Sequence, residues 1–118
     1  MKTGDLYLVN LDPTIGSEIR KTRPVVVLSP GQGKNLPLAI VVPVTGWQSR
    51  WENHPFFLTI DPQPQHGLTK KSAVDCFQIR ALSHRRFIRR LGKLSQEEMD
   101  LIKAAVALIL DIEPQHCS

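Results

Sequence analysis

The sequence predicts a mainly β fold with a single C-terminal helix, on three observations. Short runs dominated by Val, Ile and Phe recur from Leu6 to Leu94, a composition that suits a pleated, half-buried surface. Clusters of Pro, Gly and Asn separate them, which is the punctuation of strands joined by turns. Beyond Leu94 the apolar residues take up the spacing of one helix face. Several short strands joined by long polar loops fit a small, strongly bent antiparallel sheet or a partly open barrel.

The first predicted strand runs from Leu6 to Leu11 and stops at the turn signal Asp12-Pro13. A polar loop follows, with Gly16, Ser17, Glu18, Arg20 and Lys21. Pro24 then opens a second strand, Pro24 to Ser29; having no N–H to give to a ladder, proline is tolerated at a strand's first residue. Arg23 therefore stands at a rigid strand mouth beside a charged loop, where a positioned guanidinium suits a phosphate. Gly31-Gln32-Gly33-Lys34-Asn35 reads as a turn, and further strands are predicted at Leu38 to Thr45, Phe56 to Ile60, Ala73 to Arg80 and Phe87 to Leu94. Gly46 to Pro55 and Asp61 to Lys71 are longer loops, the second irregular around Gln63-Pro64-Gln65-His66-Gly67. Strand alternation puts Asp75 and Phe77 on one face, and likewise Phe87 and Arg89. Ser95-Gln96-Glu97-Glu98 fits a capping box, with Ser95 as N-cap and Glu98 reaching back to its N–H. Glu97, Glu98 and Asp100 then lie where the helix dipole favours acids. Met99, Ile102, Ala105, Val106 and Ile109 fall on one face, expected to pack on the sheet, and the helix is expected to end near Asp111, before Pro114.

At 118 residues the chain reads as one domain, residues 1–118, large enough to bury a real core. Fifteen Lys and Arg against 11 Asp and Glu give a net charge of +4, which favours polyanionic partners. Cys76 and Cys117 lack metal-ligand spacing, and Cys76, in a predicted strand, reads as a small buried hydrophobe. No His/Cys/Asp cluster has ligand spacing, so neither a metal nor another cofactor is expected. Met1 to Asp5 leads straight into a strand rather than into a signal-peptide core. The longest apolar run, Ala104 to Leu110, is too short for a membrane span. The expectation is a reduced, cytoplasmic protein without a membrane partner.

Several side chains could carry chemistry. Thr45 ends an apolar strand just before Gly46, where its hydroxyl could reach a phosphate oxygen; an ordinary β-branched strand end is the plainer alternative. Trp47 and Trp51, with Arg50 between them, could stack unpaired bases, unless one indole serves to cap the core. His54, His66, His84 and His116 could supply acid–base chemistry near neutrality, but all four read as solvated loop residues. Arg85, Arg86, Arg89 and Arg90 read as a solvated edge strand, with phosphate contacts as the alternative.

Taken in order, the motifs resemble those of one family. The opening G-D-x-Y-x-V-x-L-x-P from Gly4, Gly16-Ser17-Glu18, R-P-V-x-V from Arg23, Val42-Pro43-Val44-Thr45, Gln78-Ile79-Arg80 and the amphipathic C-terminal helix are similar to the MazF/PemK/Kid toxins of bacterial toxin–antitoxin pairs. The resemblance spans nearly the whole chain. It implies an SH3-like barrel of the MazF/PemK/CcdB type and a homodimer. It also implies a sequence-specific, metal-independent endoribonuclease that attacks single-stranded RNA through the ribose 2′-OH. The products would be a 2′,3′-cyclic phosphate and a 5′-OH, and the inhibitor a cognate antitoxin whose disordered acidic segment folds into the RNA groove.

Carried over by position, the resemblance assigns catalysis to Arg23, Thr45 and Glu18. It gives substrate contacts to Ser17, Trp47, Arg50, Trp51, Asp75, Gln78 and Arg80. Glu18, near cations, would be a weak base but a good orienter; pairing with Arg20 or Lys21 is its plain alternative. One departure stands out: many members carry an acid immediately before the Gln of Q-[IV]-[RK], and Phe77 fills that place here. Asp75 could offer the carboxylate from a shifted position, or the protein could work without one. Two other functions fit the same fold: a gyrase-poison toxin acting through protein contacts, and an RNA-binding module that does not cut.

Overall fold

The structure, a computed structural model, describes residues 1–11 and 22–113. Among these residues seven strands precede one helix: β1 (Asp5–Asn10), β2 (Thr22–Ser29), β3 (Leu38–Gly46), β4 (Phe57–Ile60), β5 (Ser72–Asp75), β6 (Arg80–Ser83), β7 (Phe87–Lys93) and α1 (Gln96–Ile109). Short 3-10 turns occupy Ser49–Trp51 and His84–Arg86. All pairings are antiparallel, in the order β4-β5-β3-β2-β1-β7, with β6 pairing β3 off that path. The path begins on β4 and ends on β7, so hydrogen bonding leaves the sheet open, as the sequence led us to expect.

Two strand assignments from sequence need correction. The run Ala73 to Arg80 is two strands, not one. β3 pairs β6 from Leu38 to Val41 and β5 from Val44 to Gly46. Between those ladders β3 spends only Val42 and Pro43, whereas the opposite chain spends Asp75 to Ile79, and the surplus loops out as a turn after Asp75. Asp75 is buried and Phe77 is exposed, so the two do not share a strand face. The second correction concerns Pro24, which is not the first residue of its strand: β2 starts at Thr22 and Pro24 lies opposite Leu8. It is tolerated because β3 joins β2 only from Val25 onward, so among the described residues β1 is the only neighbour strand at that point.

The two faces of the sheet are built by alternation. One carries Leu6, Val26, Val42, Val44, Ile60 and Val74, packed against Cys76, Leu94, Met99 and Ile102, with Ala105, Val106 and Ile109 adding to the contact. This is the predicted helix face, seated as expected. Ser95 and Glu98 make both bonds of the capping box, Ser95 Oγ accepting from the Glu98 N–H at 3.1 Å and Glu98 Oε1 from the Ser95 N–H at 2.8 Å. The helix closes with Asp111 at φ 56°. There the Ile112 N–H donates to Ala107 O (2.8 Å) and the Asp111 N–H to Leu108 O (3.3 Å), the paired bonds of a Schellman stop. Among the described residues no helix is long and apolar enough to cross a membrane. The opposite face carries Val9, Val25, Ala39, Val41 and Leu82, flanked by Tyr7, Leu11 and Phe87.

The loop from residue 61 to 71 is less solvated than its sequence suggests. Gly67 has φ +70° and sits where an added Cβ would strike the Leu91 carbonyl, so only glycine lets the loop lie against β7. His66 is fully buried, its Nε2–H donating to Glu98 Oε1 at 3.0 Å. The solvated reading of the histidines therefore fails for His66, because the loop carries it under the helix N-terminus. It also fails for His84, whose Nε2–H donates to Pro30 O at 2.8 Å. His116 and Cys117 lie outside the described residues.

β7 is an edge strand, as read from its arginines. Register shifts near Ile88 and Leu91 break the simple alternation, placing Phe87 across from Val9 and Arg90 across from Tyr7. Phe87 and Arg89 thus do not share a face. Arg90 pairs with Asp5 at 3.3 Å and Arg86 Nη1 donates to Asn10 O at 3.2 Å.

Candidate active site

Alternation that places Val26 and Val42 under the helix sends their neighbours to the other side. Arg23 and Val25 on β2, and Val41, Pro43 and Thr45 on β3, form a continuous floor there. Asp75 and Phe57, cross-strand partners of β5 and β4, extend it, and Arg80, across from Val41, completes it. Above this floor the 3-10 turn supplies Arg50 and Trp51, with Gln48 just before it and Leu11 at the end of β1. Together they enclose a cavity of about 410 Å³.

The surplus turn in the β5–β6 chain gives the cavity its polar wall. The Asp75 carboxylate accepts the Phe77 N–H through Oδ1 at 3.1 Å and Gln78 Nε2 through Oδ2 at 2.7 Å. It therefore folds the turn and fixes the Gln78 amide beside the cavity. Three guanidinium groups, from Arg23, Arg50 and Arg80, line the cavity with Asp75 as the one acid among the described lining residues. Such a balance suits an anion.

One wall is aromatic. Trp51 stacks on Phe57 with centroids 3.7 Å apart and planes 6° from parallel, and the Arg50 guanidinium carbon lies 4.4 Å over the indole. Cation–π contact holds an arginine in place without using up its five donors. His54 packs edge-on to Trp51, Phe56 and Phe57, and its Nδ1 accepts the Phe56 N–H at 3.1 Å. It is half-buried and engaged in structure, so the solvated reading fails here too. Cys76, next to Asp75, is buried, and burial, helped by the Asp75 charge, pushes its thiol up to about 11. It is the small buried residue expected from sequence, although it sits in the turn rather than in a strand.

Of the residues assigned from sequence, Arg23, Thr45, Arg50, Trp51, Asp75, Gln78 and Arg80 meet in this one cavity. Trp47 does not line it. Its indole N–H donates to Thr59 Oγ1 at 3.1 Å and the Lys71 ammonium lies 3.9 Å over its ring, so this indole ties the loop after β3 to the neighbouring chain. Ser17 and Glu18 lie outside the described residues, in the segment flanked by Leu11 and by Thr22-Arg23. Sequence reading missed Gln48 and Phe57. The signal for Phe57 was its register across from Asp75, which only the pairing reveals. Among the described residues no three His, Cys, Asp or Glu side chains gather as a metal site would require.

Comparison with known proteins identifies the family. Residues 2–110 match the model of the PemK-like, MazF-like toxin of type II toxin–antitoxin systems. The chain belongs to that family. Among its curated relatives, Endoribonuclease EndoA of Bacillus subtilis is 32% identical over 111 residues, covering 93% of this chain and 94% of the relative. The endoribonuclease toxin MazF of Escherichia coli K12 is 33% identical over 108 residues, covering 91% of each. Among solved structures, a MazE–MazF complex of Deinococcus radiodurans matches with a TM-score of 0.76 at 22% identity, over 96% of this chain and 97% of that one. That likeness shows the MazF-type fold: an antiparallel sheet with a C-terminal helix.

Proposed function

We propose that this MazF-like chain is an endoribonuclease toxin that cuts single-stranded RNA at a short sequence, without a metal ion, by attack of a ribose 2′-OH on the adjacent phosphorus. The observation that carries the reading is the meeting of Arg23, Thr45, Arg50, Gln78 and Arg80 around one open-mouthed cavity, in a chain about a third identical to named endoribonucleases. In the proposed step the 2′-oxygen bonds to phosphorus and the P–O5′ bond breaks, which leaves a 2′,3′-cyclic phosphate and a 5′-OH. Arg23 and the Thr45 hydroxyl donate to the phosphoryl oxygens as charge gathers there, the term that commonly weighs most in such reactions. Arg23 acts as a clamp and not as an acid, since a guanidinium does not give up its proton.

Glu18 serves as the orienter of the attacking 2′-OH, whose proton passes to water. Asp75 is the other carboxylate available, but both of its oxygens are engaged in holding the turn, and it acts as the positioning residue for Gln78. The departing 5′-oxygen takes its proton from water. Arg50 and Arg80 suit neighbouring phosphates, while Trp51 and Gln78 suit a base face and a base edge. Ser17 contacts the substrate strand in this reading and Trp47 has a structural role instead.

The protein works as a homodimer in the cytoplasm, held inactive by an antitoxin whose acidic segment occupies the arginine-lined cavity, much as a MazE chain accompanies MazF in the Deinococcus complex. The test is cleavage of a long, defined single-stranded RNA in EDTA by the wild type and by Arg23→Ala. Discrete fragments with cyclic-phosphate ends are expected from the wild type, and a rate lower by about 10²–10³-fold from the variant, the range measured for loss of one such donor. Equal cutting by both would remove Arg23 from the chemistry. Intact RNA with both would turn the reading toward a toxin that acts by binding.

A further inference from the structure

Phe77 is the only exposed aromatic side chain among the described residues, with 60% of its surface open to solvent. Nothing in the turn requires a phenyl ring there. The turn is made by the Asp75 carboxylate and the backbone N–H of residue 77, a bond that does not depend on the side chain. Yet the ring is not loose, because it packs on Phe56 with centroids 5.6 Å apart and planes tilted by 35°. Phe56 in turn meets His54 at 5.8 Å, and His54 meets Trp51 and Phe57 in the cavity wall at 6.0 and 5.0 Å. A continuous run of rings thus leads from the cavity out to Phe77. The adjoining residue, Gln78, lines the cavity itself.

We propose that Phe77 is the stacking platform for one unpaired base of the RNA, a binding subsite at the cavity rim. The inference rests on the RNA-cleaving reading above. An exposed ring supported from behind offers one face to a base, and base–aromatic stacking tolerates any base, since each has a π-face. Phe77 then contributes affinity at one position of the strand without demanding a particular nucleotide there. Phe77 does not line the cavity in which Arg23 and Thr45 meet, so its effect belongs to binding.

The experiment uses an oligonucleotide spanning the protein's own mapped cleavage site, with a 2′-O-methyl group on the attacked ribose so that it binds without being cut. Affinity is measured by fluorescence anisotropy for the wild type, Phe77→Ala and Phe77→Trp. Phe77→Ala is expected to bind roughly 5- to 150-fold more weakly, the range that one stacked base represents, and Phe77→Trp within about threefold of the wild type. An abasic nucleotide moved along the strand should weaken wild-type binding at one position where Phe77→Ala shows no further loss. Wild-type affinity in Phe77→Ala, equal losses with Ala and Trp, or the same abasic profile for both proteins would each overturn the stacking role while leaving the nuclease reading intact. Failure of the wild type to bind or cut RNA would instead sink both.

Discussion

Asp75 is where a sequence reading and the folded chain part most instructively. A strand pattern makes it one of a row of alternating residues, a candidate stand-in for a missing acid. The fold spends it on a turn, with one oxygen for a backbone N–H and the other for Gln78. Spacing alone could not reveal this, because the surplus residues opposite Val42 and Pro43 become visible only when both ladders are in register. Asp75→Ala would leave the Phe77 N–H without its partner and let the Gln78 amide swing, so a loss of about 1–3 kcal/mol in urea unfolding is expected, together with a fall in kcat/KM on RNA. Gln78→Ala, at an exposed position, should lower kcat/KM with the unfolding midpoint unchanged. Equal midpoints for the two variants would show that Asp75 does not hold the turn. Arg23 and Thr45 were legible because each sits at a strand terminus that the residue pattern marks clearly. Trp47 was not, since an indole in a loop reads the same whether it faces a ligand or a threonine hydroxyl.

The helix illustrates how much an element can declare by itself. Its cap, its buried stripe and its end were all readable, because capping boxes and 3.6-residue spacing are local properties. What stayed hidden was the tie between its first turn and the distant His66, because no local pattern reports a contact between residues 66 and 98. Burial alone would raise the Glu98 carboxyl. The hydrogen bonds from the Ser95 N–H, from His66 and from the Ser95 hydroxyl, with the His66 charge, outweigh it and hold the group below the usual glutamate range. A carboxyl lowered on folding favours the folded state fully at pH values above its unfolded value of 4.5, and that contribution is lost as the pH falls from there through the lower value of the folded state. The urea midpoint of the wild type should therefore drop below about pH 4.5, and Glu98→Gln should drop less over the same interval. At neutral pH, Ser95→Ala should cost about 1 kcal/mol, the usual worth of such a cap. An identical acid limb in the wild type and Glu98→Gln would assign the acid sensitivity elsewhere.

At the scale of the molecule, one sheet serves two purposes by alternation: even-numbered residues of β2 and β3 hold the helix and odd-numbered ones floor the cavity. The strand pattern announced the sheet, but not which face would be covered, because central strands buried on both sides lose their polar alternation. Met99 and Ile102 bring roughly 1.5–3 kcal/mol each by burial, against a usual total margin of about 5–15 kcal/mol. A chain lacking residues 95–118 is accordingly expected to lose cooperative unfolding and amide dispersion in NMR spectra; a dispersed spectrum would show that the sheet stands without its helix. The pairing of Asp5 with Lys93 has a consequence in time. β1 is made before β7 and α1, so its outer edge stays uncovered until β7 has followed it, and only after that does the helix arrive to seal the core. Chains emerge from the N-terminus and fold as whole units, so a half-made copy has no settled floor on which Arg23 and Thr45 can meet.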